Sequence, residues 1–343
     1  MVESFRMALP IQTQPKPPVG TIESLTSGFE TVASNVWLIA LPAVLDLFLW
    51  LGPHLSINPI AKRLVAIMRT VQPADAASAA SQQAMIDFFG QAGQRGNMFT
   101  LLSTAPLGIP SLMVGQLPLL TPLGKPPFWF VDNEWLMLIN AVTFLLLGLL
   151  LGAAYLSLIG LQLREPKLSA AQVAQRIAAN WARLTAFGVL VVLTSAALSV
   201  PAIIVIGLLQ AVSPLLGGVA LSVWAAVMLW LYFYLVFSPH GMILRDRGLF
   251  GAMWDSIRLV QLNLFPVVGL YLVVFLLNWG LGYVWNLPSP DSWVTLAGIG
   301  GHAFVSTGLV TATFVFYKDR YRWWVEMRQW LPTIKAPAKK IRG

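Results

Sequence analysis

Asp46 is the one acidic residue well inside an apolar stretch of this chain. An ionisable group at membrane depth is costly and commonly functional. It lies about six residues, roughly 9 Å of helix, from the outer end of its stretch. Three other polar groups fall at similar depth in later apolar stretches: Asn140, Asn278 and His302. Converging, these four make a polar pocket open to the outside. Asp46 would pair with His302, the only cationisable group at that depth, and accept amide donors from Asn140 or Asn278. The plainer reading satisfies each group separately, Asp46 capping a helix broken near Gly52-Pro53 and each Asn bonding a neighbouring helix. Other chemistry is thinly supplied. The chain has no cysteine, which excludes thiolate metal sites and cysteine nucleophiles. Its three histidines are His54, His240 and His302. His54 and His240 stand alone beside prolines at the ends of apolar stretches, where capping is the expected role. No phosphate-binding loop, dinucleotide fingerprint, zinc-protease motif or nucleophile elbow is present, so no cofactor and no catalytic residue are assigned.

The elements that must position these groups are membrane helices. Of 343 residues, 57% are hydrophobic and 10% charged, whereas a soluble domain carries about 25% charged residues. So little charge cannot cover a water-facing surface, and the missing polar surface must face lipid. The net charge of +8 then suits an anionic membrane surface rather than nucleic acid. A hydrocarbon core of about 30 Å needs roughly 20 apolar residues of helix. Six segments qualify, near 34–52, 135–159, 184–210, 217–237, 264–286 and 294–317. The first is the weakest, since it contains Pro42 and Asp46. The expected fold is all-α, a polytopic helix bundle of six transmembrane helices with interfacial amphipathic helices and a helical outer segment. Residues 1–33 form an N-terminal segment with an interfacial helix, 34–317 the membrane domain and 318–343 a basic tail.

Orientation follows the placement of Lys and Arg in short loops. Arg164, Lys167, Arg176 and Arg183 follow span two, and Arg245, Arg247 and Arg258 follow span four. The tail carries Lys318, Arg320, Arg322, Arg328, Lys335, Lys339, Lys340 and Arg342. The alternate loops 211–216 and 287–293 carry no Lys or Arg. Both termini are therefore expected in the cytoplasm of a cell membrane. Lys318, Arg320, Arg322, Trp323 and Trp324 are the expected contacts with anionic lipid at that surface. Membrane lipids, and beyond them other membrane proteins, are the expected partners.

Two of the basic crossings share a pattern. Gly160-x-x-Leu163-Arg164-Glu165-x-x-Leu168 repeats, 81 residues on, as Gly241-x-x-Leu244-Arg245-Asp246-x-x-Leu249. Each precedes an amphipathic stretch, one with Val173, Ile177 and Trp181, the other with Met253, Ile257 and Val260. A fainter copy precedes span one, where Phe29 to Asn35 resembles Trp254 to Asn263, each followed by a proline, Pro42 or Pro266. Interfacial helix plus span is thus read as a repeated unit of parallel topology. The second copy, Pro239 to Asp246 with Trp254-Asp255-Ser256-Ile257-Arg258 and Asn263, resembles a pattern in uncharacterised bacterial six-span membrane proteins. These are similar to the membrane domain of some glycerophosphoryl diester phosphodiesterases. The likeness covers about residues 150–317 and implies fold, not the diesterase activity, for which the chain has no catalytic domain.

The outer segment 53–134 departs from that pattern. Residues 59–71 have an apolar side of Ile60, Leu64, Val65, Ile67, Met68 and Val71 largely opposite Lys62, Arg63 and Arg69, and 74–92 reads as a second helix. Residues 98–131 are apolar but broken by Pro106, Pro110, Pro118, Pro122, Pro126 and Pro127. Water does not tolerate such a stretch exposed, so it is expected to pack on the bundle as a lid. Gly148 and Gly152 in span two, and Gly300 and Gly308 in span six, mark close approaches. Three functions follow: a non-enzymatic membrane-organising, lipid-associated or complex-assembly protein; a permease with an outward-facing polar pocket; and an intramembrane enzyme using Asp46 and His302. The first is favoured by the interfacial helices and the basic tail.

Overall fold

The structure, a computed structural model, describes residues 16–335 apart from 105, 117–118 and 165–167. Glu165, Lys167 and the end of the basic tail, Lys339, Lys340 and Arg342, lie outside the described residues. The chain is an all-α polytopic membrane helix bundle. α1 (Thr21–Ser34) meets α2 (Ala40–Leu51) through a 3-10 turn, Val36–Ile39, and the outer segment supplies α3 (Asn58–Thr70) and α4 (Ala76–Arg95). Then follow α5 (Glu134–Gln162), α6 (Ala170–Val212), α7 (Pro214–Leu235), α8 (Ser238–Arg245), α9 (Leu249–Leu262), α10 (Leu264–Trp285) and α11 (Thr295–Lys335).

The helix starts obey local chemistry. Asn133 Oδ1 accepts the backbone N–H of Trp135 and of Leu136 to open α5. Ser169 and Gln172 form a capping box at α6, and Pro214 stands in the first turn of α7, where no N–H is needed. α6 runs unbroken for 43 residues. The amphipathic stretch and the span that the sequence separates are one helix here. The other two copies turn a corner at an asparagine. Asn35 and Asn263 have nearly the same backbone angles, φ −136°, ψ 57° and φ −132°, ψ 36°. Each donates its side-chain amide to the carbonyl four residues back, Thr31 at 2.9 Å and Leu259 at 3.0 Å.

Five helices, among the described residues, are long and apolar enough to cross a membrane: α5, α6, α7 with α8, α10 and α11. The sixth expected crossing is not a continuous helix. α1 and α2 pass that test only together, bent by 95°. The weakness at Pro42 and Asp46 therefore has a structural form: α2 has 12 residues, about 18 Å of helix, too short to cross alone. Nor does α1 stand apart from the bundle. Val19 lies at Asp319 and Arg320, and Phe29 at Gly308 and Phe304, so α1 runs antiparallel along α11.

α11 is the central helix. Two thirds of its apolar stretch, 67%, is buried, whereas none of the most apolar stretch of α6 and 11% of that of α7 is. α6 and α7 project as a hairpin, with the hydroxyls of Ser195 and Tyr232 joined at 2.9 Å. On the far face, β1 (His54–Ser56) pairs in parallel with β2 (Phe128–Phe130), His54 opposite Phe128. This short sheet closes the outer segment on itself; nothing in the sequence periodicity announced strands so brief.

Candidate functional site

Asp46 is fully buried on α2. Its Oδ1 accepts the Ser111 hydroxyl and the Met113 N–H (3.1 Å), and its Oδ2 accepts the Leu112 N–H (3.0 Å). These donors belong to the proline-broken outer stretch, at the start of the 3-10 turn Met113–Gly115. That stretch is no external lid. A Cβ on Gly148 would stand 2.6 Å from the Leu101 carbonyl oxygen, and one on Gly152 would stand 2.5 Å from Gly108 Cα. Gly148 and Gly152 lie 14 and 18 residues into α5, about 21 and 27 Å along it. Non-helical chain thus descends to the depth of mid-span. Such backbone survives there only when buried in protein with its polar groups satisfied. Ile109 and Met113, each 1% exposed, fill the core with Trp50 and Tyr155. Ser103 donates its hydroxyl to the Ile109 carbonyl at 2.6 Å, and Asn97 Oδ1 accepts from Leu55 and Phe99. The Asp46 carboxylate does the same for Leu112 and Met113. Gly108 is required by sterics, because a Cβ would sit 1.8 Å from the Ser103 carbonyl oxygen.

His302 on α11 brings Nδ1 to 3.7 Å from Asp46 Oδ2, without hydrogen-bond geometry. Asp46 and His302 therefore do come together. Asn140 is half-buried on α5 and Asn278 exposed on α10, and the structure shows neither bonded to Asp46 or His302. Of the two glycines singled out in span six, Gly308 meets α1, where a Cβ would press on the Phe29 ring at 2.5 Å, whereas one on Gly300 would meet nothing within 4 Å among the described residues.

The expected surface contacts divide. Arg320 is 4% exposed, lies over the Phe316 ring at 3.5 Å and donates to the Val19 carbonyl. It ties α1 to α11 and is not presented to lipid. Arg322 is exposed beside Asp319 and Glu326. Lys318 donates to the Leu163 carbonyl at 2.6 Å. Trp324 stands edge-on to Tyr321, and Trp323 is half-buried. Among the described residues no group of three or more acidic, histidine or cysteine side chains is placed to hold a metal ion.

A second polar centre lies at the basic crossings, which carry the repeat and the orientation but were not expected as a site. The two repeat copies face each other. Gly160 lies against Ile243, where a Cβ would approach Cγ2 at 2.7 Å. Arg164 donates to the Ile243 carbonyl and, at 3.0 Å, to Asp246. Asp246 has a left-handed backbone, φ 53°, at the end of α8. Arg176 reaches the same carboxylate at 3.5 Å and Arg183 at 3.8 Å, both from α6. Buried Asn180 donates to Ser157 at 2.9 Å behind them. Burial holds the Arg164 guanidinium below its usual range; Asp246 opposes this, and Arg176 and Arg245 add to it. The shared Arg-acid spacing was the signal; three guanidiniums on one carboxylate emerged only when α6 folded back.

Comparison with protein-family models, curated proteins and solved structures finds no match to this chain.

Proposed function

We propose that this integral membrane protein is a non-enzymatic, lipid-associated scaffold that organises the membrane or a membrane complex. One observation carries the reading: the most apolar stretch of α6 is wholly unburied, and α7 is nearly so. A hairpin that contacts little of its own bundle gives its surface to lipid or to other membrane proteins. The enzyme reading needs a carboxylate free to act, and Asp46 is engaged by three donors from one re-entrant turn. A permease reading draws on the Asp46–His302 pair; substrate-dependent proton uptake into proteoliposomes, lost in His302→Gln, would favour it over the scaffold.

The proposed setting is a cell membrane with both termini cytoplasmic, supported by the basic loops and by Val19 lying at Asp319 and Arg320. The scaffold is tested by mass spectrometry of lipids and proteins that co-purify in mild detergent. Specific companions should be retained by the whole chain and lost when polar residues are placed on the hairpin, as in Val205→Gln with Leu208→Gln. A chain that retains no specific companion overturns the reading.

A further inference from the structure

Arg164, Arg176 and Arg183 surround a single carboxylate, that of Asp246, at 3.0, 3.5 and 3.8 Å. Among the described residues neutralisation is therefore incomplete, and the fourth basic group, Arg245, is near enough to act on Arg164. Two donors are also left over. Arg164 Nε and Arg176 Nη1 are buried from solvent and have no hydrogen-bond partner among the described residues. Such a group is expensive to leave unmade, and a guanidinium more so than a neutral donor. Both arginines line one seam between α5, α6 and α8, with Ser157, Gly160, Asn180 and Ile243, packed too closely to admit a water molecule. The position suits a headgroup. Arg164 lies two residues beyond the end of α5, Arg176 in the second turn of α6, and Asp246 at the end of α8. All are at the water boundary of apolar helices.

We infer that the Arg164–Arg176–Arg183 cluster binds the phosphodiester of an anionic phospholipid, with Asp246 occupying part of the site in its absence. Planar guanidiniums match phosphate oxygens geometrically, which ammonium groups do not. The phosphate supplies the charge that one carboxylate cannot, and acceptors for both guanidiniums once their side chains turn out of the closed seam. The acyl chains then lie along the exposed flanks of α5 and α6, where Leu146, Leu147, Val189 and Val192 face outward. The inference deepens the scaffold reading by naming a lipid class and a place.

The test uses the full chain in phosphatidylcholine nanodiscs, with phosphatidylglycerol as probe and inorganic phosphate as competitor. The wild type should retain phosphatidylglycerol over phosphatidylcholine. Arg176→Gln should weaken that retention by roughly tenfold, the loss of one charge-assisted contact. Asp246→Asn separates a site from a structural ion cluster. A site gains affinity for phosphatidylglycerol when its competing carboxylate goes, whereas a structural cluster only loses stability. Arg183→Gln, at the longest of the three separations, serves if Arg176→Gln does not fold. Equal retention of both lipids by the wild type, or retention unchanged in Arg176→Gln and Asp246→Asn, overturns the site. Displacement by inorganic phosphate as effective as by added phosphatidylglycerol overturns the lipid assignment. Loss of this preference with hairpin-dependent companions still bound would remove the headgroup site and leave the scaffold standing.

Discussion

At Asp46 a membrane-depth acid, an obvious candidate for chemistry, holds backbone N–H groups in place. Replacing it with Asn keeps the size but leaves one oxygen for three donors and turns an amide N–H toward a backbone N–H. The unsatisfied groups should cost about 1–3 kcal/mol each. Asp46→Asn is therefore expected to expose residues 98–116 to protease and to faster hydrogen exchange, and an unchanged exchange pattern would contradict the capping role. His54 gives a pH dependence. Its ring is edge-on to Phe128 at 4.9 Å, and Nε2 is buried without a partner. Burial lowers its pKa, and a hydrogen bond with the Leu49 backbone partly opposes the shift. A lowered folded-state pKa means that the opened segment binds the proton first. Pairing of His54–Ser56 with Phe128–Phe130 is thus fully stable above the ordinary imidazole value, about 6.5, and weakens as pH falls below it. Protection of the strand amides, taken relative to the intrinsic exchange rate at each pH, should fall on acidification in the wild type, and that fall should disappear in His54→Phe.

At the scale of elements, close approach decides the packing. Gly152 lets Leu107 and Gly108 lie on α5, with the Leu107 carbonyl oxygen 2.5 Å from where a Cβ would stand. Both obstacles are backbone, so neither can rotate aside. Gly152→Val should displace the re-entrant stretch and cost several kcal/mol, above the roughly 1–3 typical of overpacking; a thermal midpoint in detergent within error of wild type would refute this contact. Gly28 plays the same part between α1 and α11, where a Cβ would be 2.6 Å from the Ala312 nitrogen. Gly28→Leu should release α1 and leave Arg320 without its Val19 partner, read as new protease cleavage within Thr21–Ser34. Val19 and Gly28 both pack against α11, so the N-terminal helix is part of the bundle.

For the molecule as a whole, α11 is the axis. α1, α2 and α10 pack along it, α5 joins it through Tyr155, whose hydroxyl donates to Thr307 at 3.1 Å, and the α6–α7 hairpin stands out from them. The absence of cysteine makes topology directly testable. Single cysteines at exposed Gln94 on α4 and Gln329 on α11 should label from opposite sides of intact cells. Gln94→Cys should react without permeabilisation and Gln329→Cys only after it; the reverse pattern would invert the proposed orientation.

The membrane class, the long apolar helices and the two amphipathic outer helices were legible because they depend on composition and on a period of about 3.6 residues along one segment. The approach of His302 to Asp46 was one of two readings the sequence left open, since equal depth permits a contact without requiring it. Tertiary structure decided the rest, for reasons that lie between segments. Gly148 and Gly152 signalled close approach, but whether a helix or a loop approached depended on the proline-broken chain having nowhere else to bury its apolar residues. Asn140 and Asn278 share Asp46's depth yet not its side of the bundle, because depth is set along each helix and azimuth by its neighbours. The repeat at Gly160 and Gly241 was visible as spacing. That its two copies meet and draw three arginines onto Asp246 followed from α6 folding back across α8, a contact between residues about 60 to 80 positions apart.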